Sequence, residues 1–370
     1  MIHWTEAGQE RSALWRSALG VPPPRRVITA DDRMTADTAY RLACEGTALL
    51  WLGDFQNARR LLSAMGRRCK PAAPDAGFHR YRQARSQRAR TLGMLLVPFA
   101  EGHVVPLRRA PDVRAACAEV YGPEAPPGVG QLRELLGLIG AHEWRRKGVY
   151  VPALDARIHP HHGVFAPTRA EYVDLVARAP LPDDRLAFDI GTGTGVLAAV
   201  LARRGVRRVV ATDLDERAVA CAGENVARLG LAGRVEIVRA DLFPPGRAPL
   251  VVCNPPWLPA KPASPLDQAI YDPGGRMLRG FLDGLGEHLE PGGEGWLVLS
   301  DLAEHLGLRT RAELLAGFER AGLSVAGRLD VPPRHGRATD EHDPLHAARA
   351  AEVTSLWRLT LRDRQSPPER

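Results

Sequence analysis

Lysine is nearly missing from this chain: only Lys70, Lys147 and Lys261 among 50 basic residues, the rest being arginine. A bias of that size follows genomic base composition as readily as binding chemistry, so arginine in place of lysine identifies no partner. Cysteine is also scarce. Cys44, Cys69, Cys117, Cys221 and Cys253 are scattered, odd in number and without a C-x-x-C pair, which speaks against a disulfide framework or a cysteine zinc site and for a reducing compartment. No run approaches the roughly 18 apolar residues of a membrane span. The N-terminal MIHWTEAGQERSALWRS carries charges where a signal peptide needs an apolar centre. These absences together point to the cytoplasm. Internal repeats and low-complexity tracts are missing as well.

What is present fits a globular protein of two domains. The 370 residues are 45% hydrophobic and 25% charged, enough for a sizeable core. The net charge of +7 is uneven: residues 1–150 hold 23 Arg/Lys against 14 Asp/Glu, a net of +9, and residues 151–370 hold 27 against 29, a net of −2. Within 59–90 stand Arg59, Arg60, Arg67, Arg68, Lys70, Arg80, Arg82, Arg85, Arg88 and Arg90 against Asp75 alone. Such a belt suits an acidic partner, RNA first, although a solvated helix face has the same look. Proline breaks divide this region. Helices are expected over 35–52 and 55–68, the second with Ala58, Leu61, Leu62 and Met65 on one side. A hairpin is expected from 95–99 and 104–107, and further helices near 111–121 and 129–140.

A second hairpin or extended linker is expected between Gly148 and Phe165. It contains His159, His161 and His162, but no Cys or carboxylate completes a recognisable ligand spacing, so structural or surface roles are expected and no metal. Thr168-Arg169-Ala170-Glu171 has the capping-box pattern and should start a helix running to about Arg178, with Phe165 just ahead of it.

From residue 186 the chain alternates strand and helix in the pattern of a doubly wound α/β domain. Strands are expected over 186–190, 208–213, 234–239, to Asn254, and over 295–301. Helices are expected over 195–204, 216–229, within 273–289, and over 311–321. Two last strand-like runs, 323–331 and 353–361, flank a polar histidine-rich insert and suggest a reversed edge hairpin. Residues 362–370 read as a frayed tail.

Asp189-Ile190-Gly191-Thr192-Gly193-Thr194-Gly195 joins the first strand of this domain to its first helix. Glycines there allow a sharp turn and a close ligand approach, with the helix N-terminus behind them. A dinucleotide site would want G-x-G-x-x-G or A; counting from Gly191, the third small position is Val196, so that fingerprint fails. Asp213, followed by Leu214, ends the next strand, where a carboxylate can accept both ribose hydroxyls. Asp241-Leu242 at the end of the third strand suits an adenine amino group with an apolar wall. Three carboxylates also favour a cationic cofactor.

The apolar run 251–253 is stopped by Asn254-Pro255-Pro256-Trp257, because proline lacks the N–H for a ladder and fixes its own φ. An amide, two stiff carbonyl-bearing residues and an indole could grip a flat, nitrogen-bearing group at the sheet edge.

Together, Asp189 to Gly195, Asp213, Asp241-Leu242 and Asn254 to Trp257 resemble the class I S-adenosylmethionine-dependent methyltransferases, specifically their N-P-P-aromatic branch. That branch includes release factor glutamine methyltransferases, ribosomal RNA guanine-N2 methyltransferases and adenine-N6 methyltransferases. The resemblance covers about residues 163–361. It implies a Rossmann-like seven-stranded sheet with the last strand antiparallel. It assigns Asp189 and the glycines Gly191, Gly193 and Gly195 to the methionine side of S-adenosylmethionine, Asp213 to the ribose and Asp241 to the adenine; Thr192, Leu214, Leu242 and Asn254 are expected to bind the cofactor beside them, with Phe165 near the entrance. Catalysis falls to Asn254, Pro255, Pro256 and Trp257. The family more often carries Tyr or Phe where Trp257 stands.

The expected organisation is a basic, mostly helical α+β recognition domain over 1–150, a methyltransferase domain over 151–361, and the tail. The expected activity is methyl transfer to a planar amino nitrogen, first an exocyclic amine of an RNA base. The alternative is a protein glutamine, favoured by Asp272-Pro273-Gly274-Gly275-Arg276, which is similar to the Gly-Gly segment of the glutamine-modifying members. A non-catalytic RNA-binding protein stands behind both.

Overall fold

Strand structure begins at the second residue, where the sequence suggests no element. β1 (Ile2–Glu6) and β2 (Gln9–Arg16) form an antiparallel ribbon. The computed structural model describes residues 1–6, 8–73, 77–261 and 270–362, and the chain divides into two units, Met1–Arg146 and Lys147–Arg370. The expected tail lies outside the described residues except for Arg362.

In the first unit the ribbon is followed by β3 (Arg26–Ala30), α1 (Ala36–Cys44), β4 (Thr47–Trp51), α2 (Phe55–Arg68), α3 (Gly77–Leu92) and β5 (Leu95–Phe99). Then come α4 (Arg114–Tyr121), β6 (Gly128–Gln131) and α5 (Leu132–Lys147). The strands make one six-stranded sheet in the order β1-β2-β6-β5-β4-β3, richer than the single hairpin expected. β3, β4 and β5 run parallel. The expected helix over 35–52 ends at Cys44, and Gly46 turns the chain at φ 80°. The next five residues, TALLW, form β4 and are buried on both faces. A short run that is apolar throughout has no period by which to tell strand from helix.

The expected hairpin is also corrected. β5 pairs with β4 on one side and β6 on the other, because a 3₁₀ turn at Glu101–His103 leads residues 104–107 away from the sheet as non-strand chain. Likewise residues 129–131 complete β6 before α5 starts. α2 does bury Ala58, Leu61 and Met65. One sheet face buries Leu49, Trp51, Leu95 and Val97 in a core shared with helix side chains such as Phe55 and Leu135. Across the sheet Ile2 joins Ala48, Leu50, Leu96 and Val129, and β1 lies against β3. The ribbon thereby covers the face the helices leave.

The second unit opens with the small hairpin β7 (Val149–Val151) and β8 (Ala156–Ile158). α6 (Glu171–Arg178), β9 (Leu186–Ile190), α7 (Val196–Arg203), β10 (Arg208–Asp213), α8 (Glu216–Arg228), β11 (Val235–Arg239) and β12 (Ala248–Cys253) follow. The chain ends with α9 (Arg276–His288), β13 (Leu289–Ser300), α10 (Leu302–His305), α11 (Arg311–Arg320), β14 (Leu323–Val331), α12 (His346–Ala351) and β15 (Thr354–Leu361). Seven strands form one sheet in the order β11-β10-β9-β12-β13-β15-β14, with β15 antiparallel to both neighbours. This is the sheet the resemblance implies.

Central strands β9 and β12 are apolar almost throughout because helices cover both faces. Their pairing sets Cys253 against Ile190, so Asn254 and Gly191 leave the sheet side by side at its carboxyl edge, where ligands bind in open α/β sheets. Among the described residues no helix is long and apolar enough to cross a membrane.

Candidate functional site

The turn after β9 is held from below by two carboxylates. Asp189 Oδ2 accepts from Thr192 Oγ1 at 2.6 Å and from the Ala198 amide at 3.1 Å. Asp213 at the end of β10 accepts from the Gly193 amide at 3.0 Å through Oδ2 and from the Asp215 amide at 3.0 Å through Oδ1. Gly191, Gly193 and Gly195 all have positive φ, at 71°, 57° and 80°, a backbone that side chains strain. A Cβ on Gly193 would meet nothing within 4 Å, so this part of the loop borders open space. A Cβ on Gly191 would stand 2.3 Å from the Met277 methyl.

Burial pushes the Asp189 carboxyl up to about 6 and raises Asp213 too. Asp189 is 1% exposed, and among the described residues neither carboxylate has an ion-pair partner. A buried and a half-buried carboxylate without a counter-charge make a site that favours a cation. S-adenosylmethionine, with its sulfonium and ammonium, fits that demand.

Asp241 stands apart from this pair. It is exposed and salt-bridged at 2.7 Å to Arg276, the first residue of α9. Leu242 adopts φ 72°, and its carbonyl accepts from Thr212 Oγ1. Leu214 is exposed, and Phe165 is half-buried in the segment between β8 and α6.

At the end of β12, Asn254 is half-buried and Pro255 buried. The Trp257 indole N–H donates to Asn254 Oδ1 at 2.9 Å. One face of the indole expected to help grip a flat acceptor carries the Arg169 guanidinium 5.3 Å from the ring centroid. Arg169 reaches Glu352 at 2.8 Å and His335 Nε2 at 2.8 Å, and Ser300 Oγ donates to Glu352 at 2.7 Å. The expected capping box at Thr168 to Glu171 does not form: α6 begins after Ala170 without a side-chain cap. Glu171 instead accepts from the Arg334 amide at 2.6 Å, which leaves the residues ahead of the helix to other partners.

Two further residues support the site, Asn225 with no motif to announce it and Asp272 in a capping role that its Gly-Gly segment does not reveal. Asn225 on α8 donates to the Thr194 carbonyl at 3.1 Å and accepts from the His159 amide at 2.8 Å, so it ties the segment after β8 to the glycine turn. Asp272 is 4% exposed; it accepts from the Met277 and Leu278 amides, each at 3.1 Å, and its own amide donates to Leu258 at 2.8 Å. It therefore caps α9 and fastens it to the chain just beyond Trp257. Gly274 and Gly275, at φ 64° and 70°, make the turn between Asp272 and that helix. Of the histidines, His161 Nε2 pairs with Glu224 at 3.0 Å.

In the first unit α2 and α3 pack side by side, tied by Arg88 donating to the Gly66 carbonyl. Arg59, Arg60, Arg67, Arg80, Arg88 and Arg90 on these helices are exposed. Among the described residues none of the six is ion-paired with a carboxylate.

Comparison with known proteins bears on the second unit. Residues 155–315 match the family model described as the methyltransferase small domain. The chain is similar to a release factor glutamine methyltransferase of Cereibacter sphaeroides, 36% identical over 176 residues, covering 44% of this chain and 62% of that protein. It is also similar to a ribosomal protein L11 methyltransferase of Sorangium cellulosum, 30% identical over 207 residues, covering 50% and 59%. A tRNA1(Val) (adenine(37)-N6)-methyltransferase of Bacteroides thetaiotaomicron is 41% identical over 75 residues, covering 19% and 32%. The chain thus spans less than two thirds of the length of each of these relatives.

Proposed function

We propose, from the methyltransferase small domain that residues 155–315 form, that this protein is an S-adenosylmethionine-dependent N-methyltransferase acting on a planar amino nitrogen, first an exocyclic amine of an RNA base. The carrying observation is the placement of Asn254-Pro255 beside the glycine turn of Asp189 and Asp213 at the carboxyl ends of adjacent central strands. Asp189 and Gly191 to Gly195 hold the methionine end of the cofactor, Asp213 and Leu214 its ribose, Asp241 and Leu242 its adenine, with Phe165 at the entrance. The bound cofactor supplies an electrophilic methyl group on a sulfonium.

An amide or base amino nitrogen is a poor nucleophile because its lone pair is delocalised. Asn254 Oδ1 and the Pro255 carbonyl each accept one N–H, which orients the nitrogen. They also stabilise the positive charge that builds on it during attack. Holding the reactants in that geometry lowers most of the remaining barrier. No strong base is needed.

RNA is favoured by the six exposed arginines of α2 and α3 that have no carboxylate partner among the described residues, with the first unit acting as the basic recognition domain of a protein that works in the cytoplasm. A glutamine acceptor on a release factor is the second reading, favoured by the 36% identical relative. Transfer of labelled methyl from S-adenosylmethionine into total cell extract, followed by separate RNase and protease digestion, tests the choice. Label lost with RNase is expected; label lost only with protease overturns the RNA reading.

A further inference from the structure

The cluster behind Trp257 has no part in the transfer chemistry described so far, yet it gathers side chains from four distant stretches of chain. Arg169 precedes α6, Ser300 ends β13, His335 follows β14 and Glu352 precedes β15. Glu352 is fully buried. Arg169 Nη2 lies 2.8 Å from His335 Nε2, which itself stands 3.5 Å from Glu352 Oε2. The guanidinium is held by Glu352 and His335 while its central carbon lies over the indole ring, a cation–π contact. A plain tie between α6 and the last hairpin would need only the ion pair, not the contact with the indole.

We propose that Arg169 is a positioning residue of the acceptor site: lying over the Trp257 ring and anchored by Glu352, it keeps the indole N–H on Asn254 Oδ1. The consequence lies in the amide. An indole nitrogen is a donor only, so it selects the oxygen of Asn254 and rejects its NH₂ group. That choice fixes which end of the amide faces the acceptor, and Oδ1 retains a lone pair for the acceptor N–H. Turned by 180°, the amide would present donors to a nitrogen that itself needs acceptors. Phenylalanine in place of Trp257 has no such N–H. This inference rests on the methyl-transfer reading for its kinetic effect, but the Arg169–Trp257–Asn254 linkage is a property of the protein alone.

The test uses the full chain. Arg169→Lys keeps a charge for Glu352 and loses the guanidinium that bridges Glu352, His335 and the indole. Arg169→Met/Glu352→Gln removes both charges, so that no buried carboxylate is left unpaired. Retained S-adenosylmethionine affinity, within twofold by calorimetry, certifies that each variant is folded. Indole N–H resonances of the seven tryptophans, with Trp257 assigned by its loss in Trp257→Phe, report the linkage without any substrate. The Trp257 signal should shift and exchange faster in Arg169→Lys and in Asn254→Ala. In the transfer assay with the macromolecule pool the wild type labels, kcat should fall about tenfold or more with KM little changed. Adding the Arg169 change to Trp257→Phe should cost nothing further.

An unshifted Trp257 signal in Arg169→Lys, or wild-type kcat in that variant, overturns the proposal. If the wild type binds the cofactor but labels nothing, the transfer reading fails, and the resonances alone still decide the linkage. If the double variant fails to fold, Arg169→Lys decides.

Discussion

Replacing Asp189 by asparagine should make the protein more stable, by an amount that depends on pH in a defined way. The carboxyl ordinarily titrates near 3.8, and burial raises it to about 6 in the folded chain. Below pH 4 it is protonated in both states and contributes no pH dependence. Between pH 4 and 6 the unfolded chain releases its proton while the folded chain keeps it, so stability falls as pH rises; above 6 the loss is complete. Two pH units at 1.36 kcal/mol each give about 3 kcal/mol. Asparagine has nearly the same shape, can still accept from Thr192 or Ala198, and never ionises. Urea unfolding of both proteins at matched pH should show the variant gaining about 3 kcal/mol on the wild type between pH 4 and 7. A difference that is flat over that range, or that runs the other way, refutes the assignment of a destabilising buried charge. The same charge should favour the cationic cofactor, so wild-type affinity for S-adenosylmethionine should weaken as pH falls through 6 while Asp189→Asn binds weakly throughout.

Asn254→Ala should abolish transfer with cofactor affinity nearly intact, and Asp213→Ala should weaken cofactor binding first; calorimetry beside the labelled-methyl assay separates the two. Gly191→Ala should destabilise by about 1–2 kcal/mol through its positive φ alone. Adding Met277→Ala should recover only the part due to the 2.3 Å approach, as thermal unfolding would reveal. Arg80→Gln/Arg88→Gln should lower RNA affinity whatever the sequence and flatten the slope of log K against log salt by roughly 1.5; an unchanged slope would remove α3 from the RNA contact. Burial and the nearby Asp189 and Asp272 raise the Cys253 thiol well above its ordinary value. A thiol reagent at pH 8 should therefore label exposed Cys44 and spare Cys253 until the protein is unfolded.

The second unit was legible because its signals are local. β9, β10 and β14 end where glycine, aspartate and proline mark them, and the carboxyl ends of β9 and β12 carry the residues that define the site. The first unit was not, because its strands depend on distant partners. Gln9–Arg16 has a mixed polar pattern and is a strand through β1 and β6, and TALLW has no period at all. The same division runs through the site. Asp189, Asp213 and Asn254 have the roles their motifs suggest, whereas Asn225, Asp272 and Arg169 act through contacts made 66, 14 and 183 residues away in the chain. Arg169 and Glu171 read as parts of a helix start and are claimed instead by the chain between β14 and β15.

The first turn of α9 touches both ends of the proposed cofactor site, Arg276 on Asp241 and Met277 over Gly191, and Asp272 binds that turn to Leu258 just past Trp257. The Arg276–Asp241 bridge is exposed and holds with at most about 1 kcal/mol, so it yields readily to a ligand. Any movement that lifts Met277 from the glycine turn also pulls on the chain behind Trp257. Spent cofactor and methylated product would then leave by one shared motion. In kinetic terms, turnover would be limited by a release step whose rate responds to substitutions in α9, far from the reacting nitrogen.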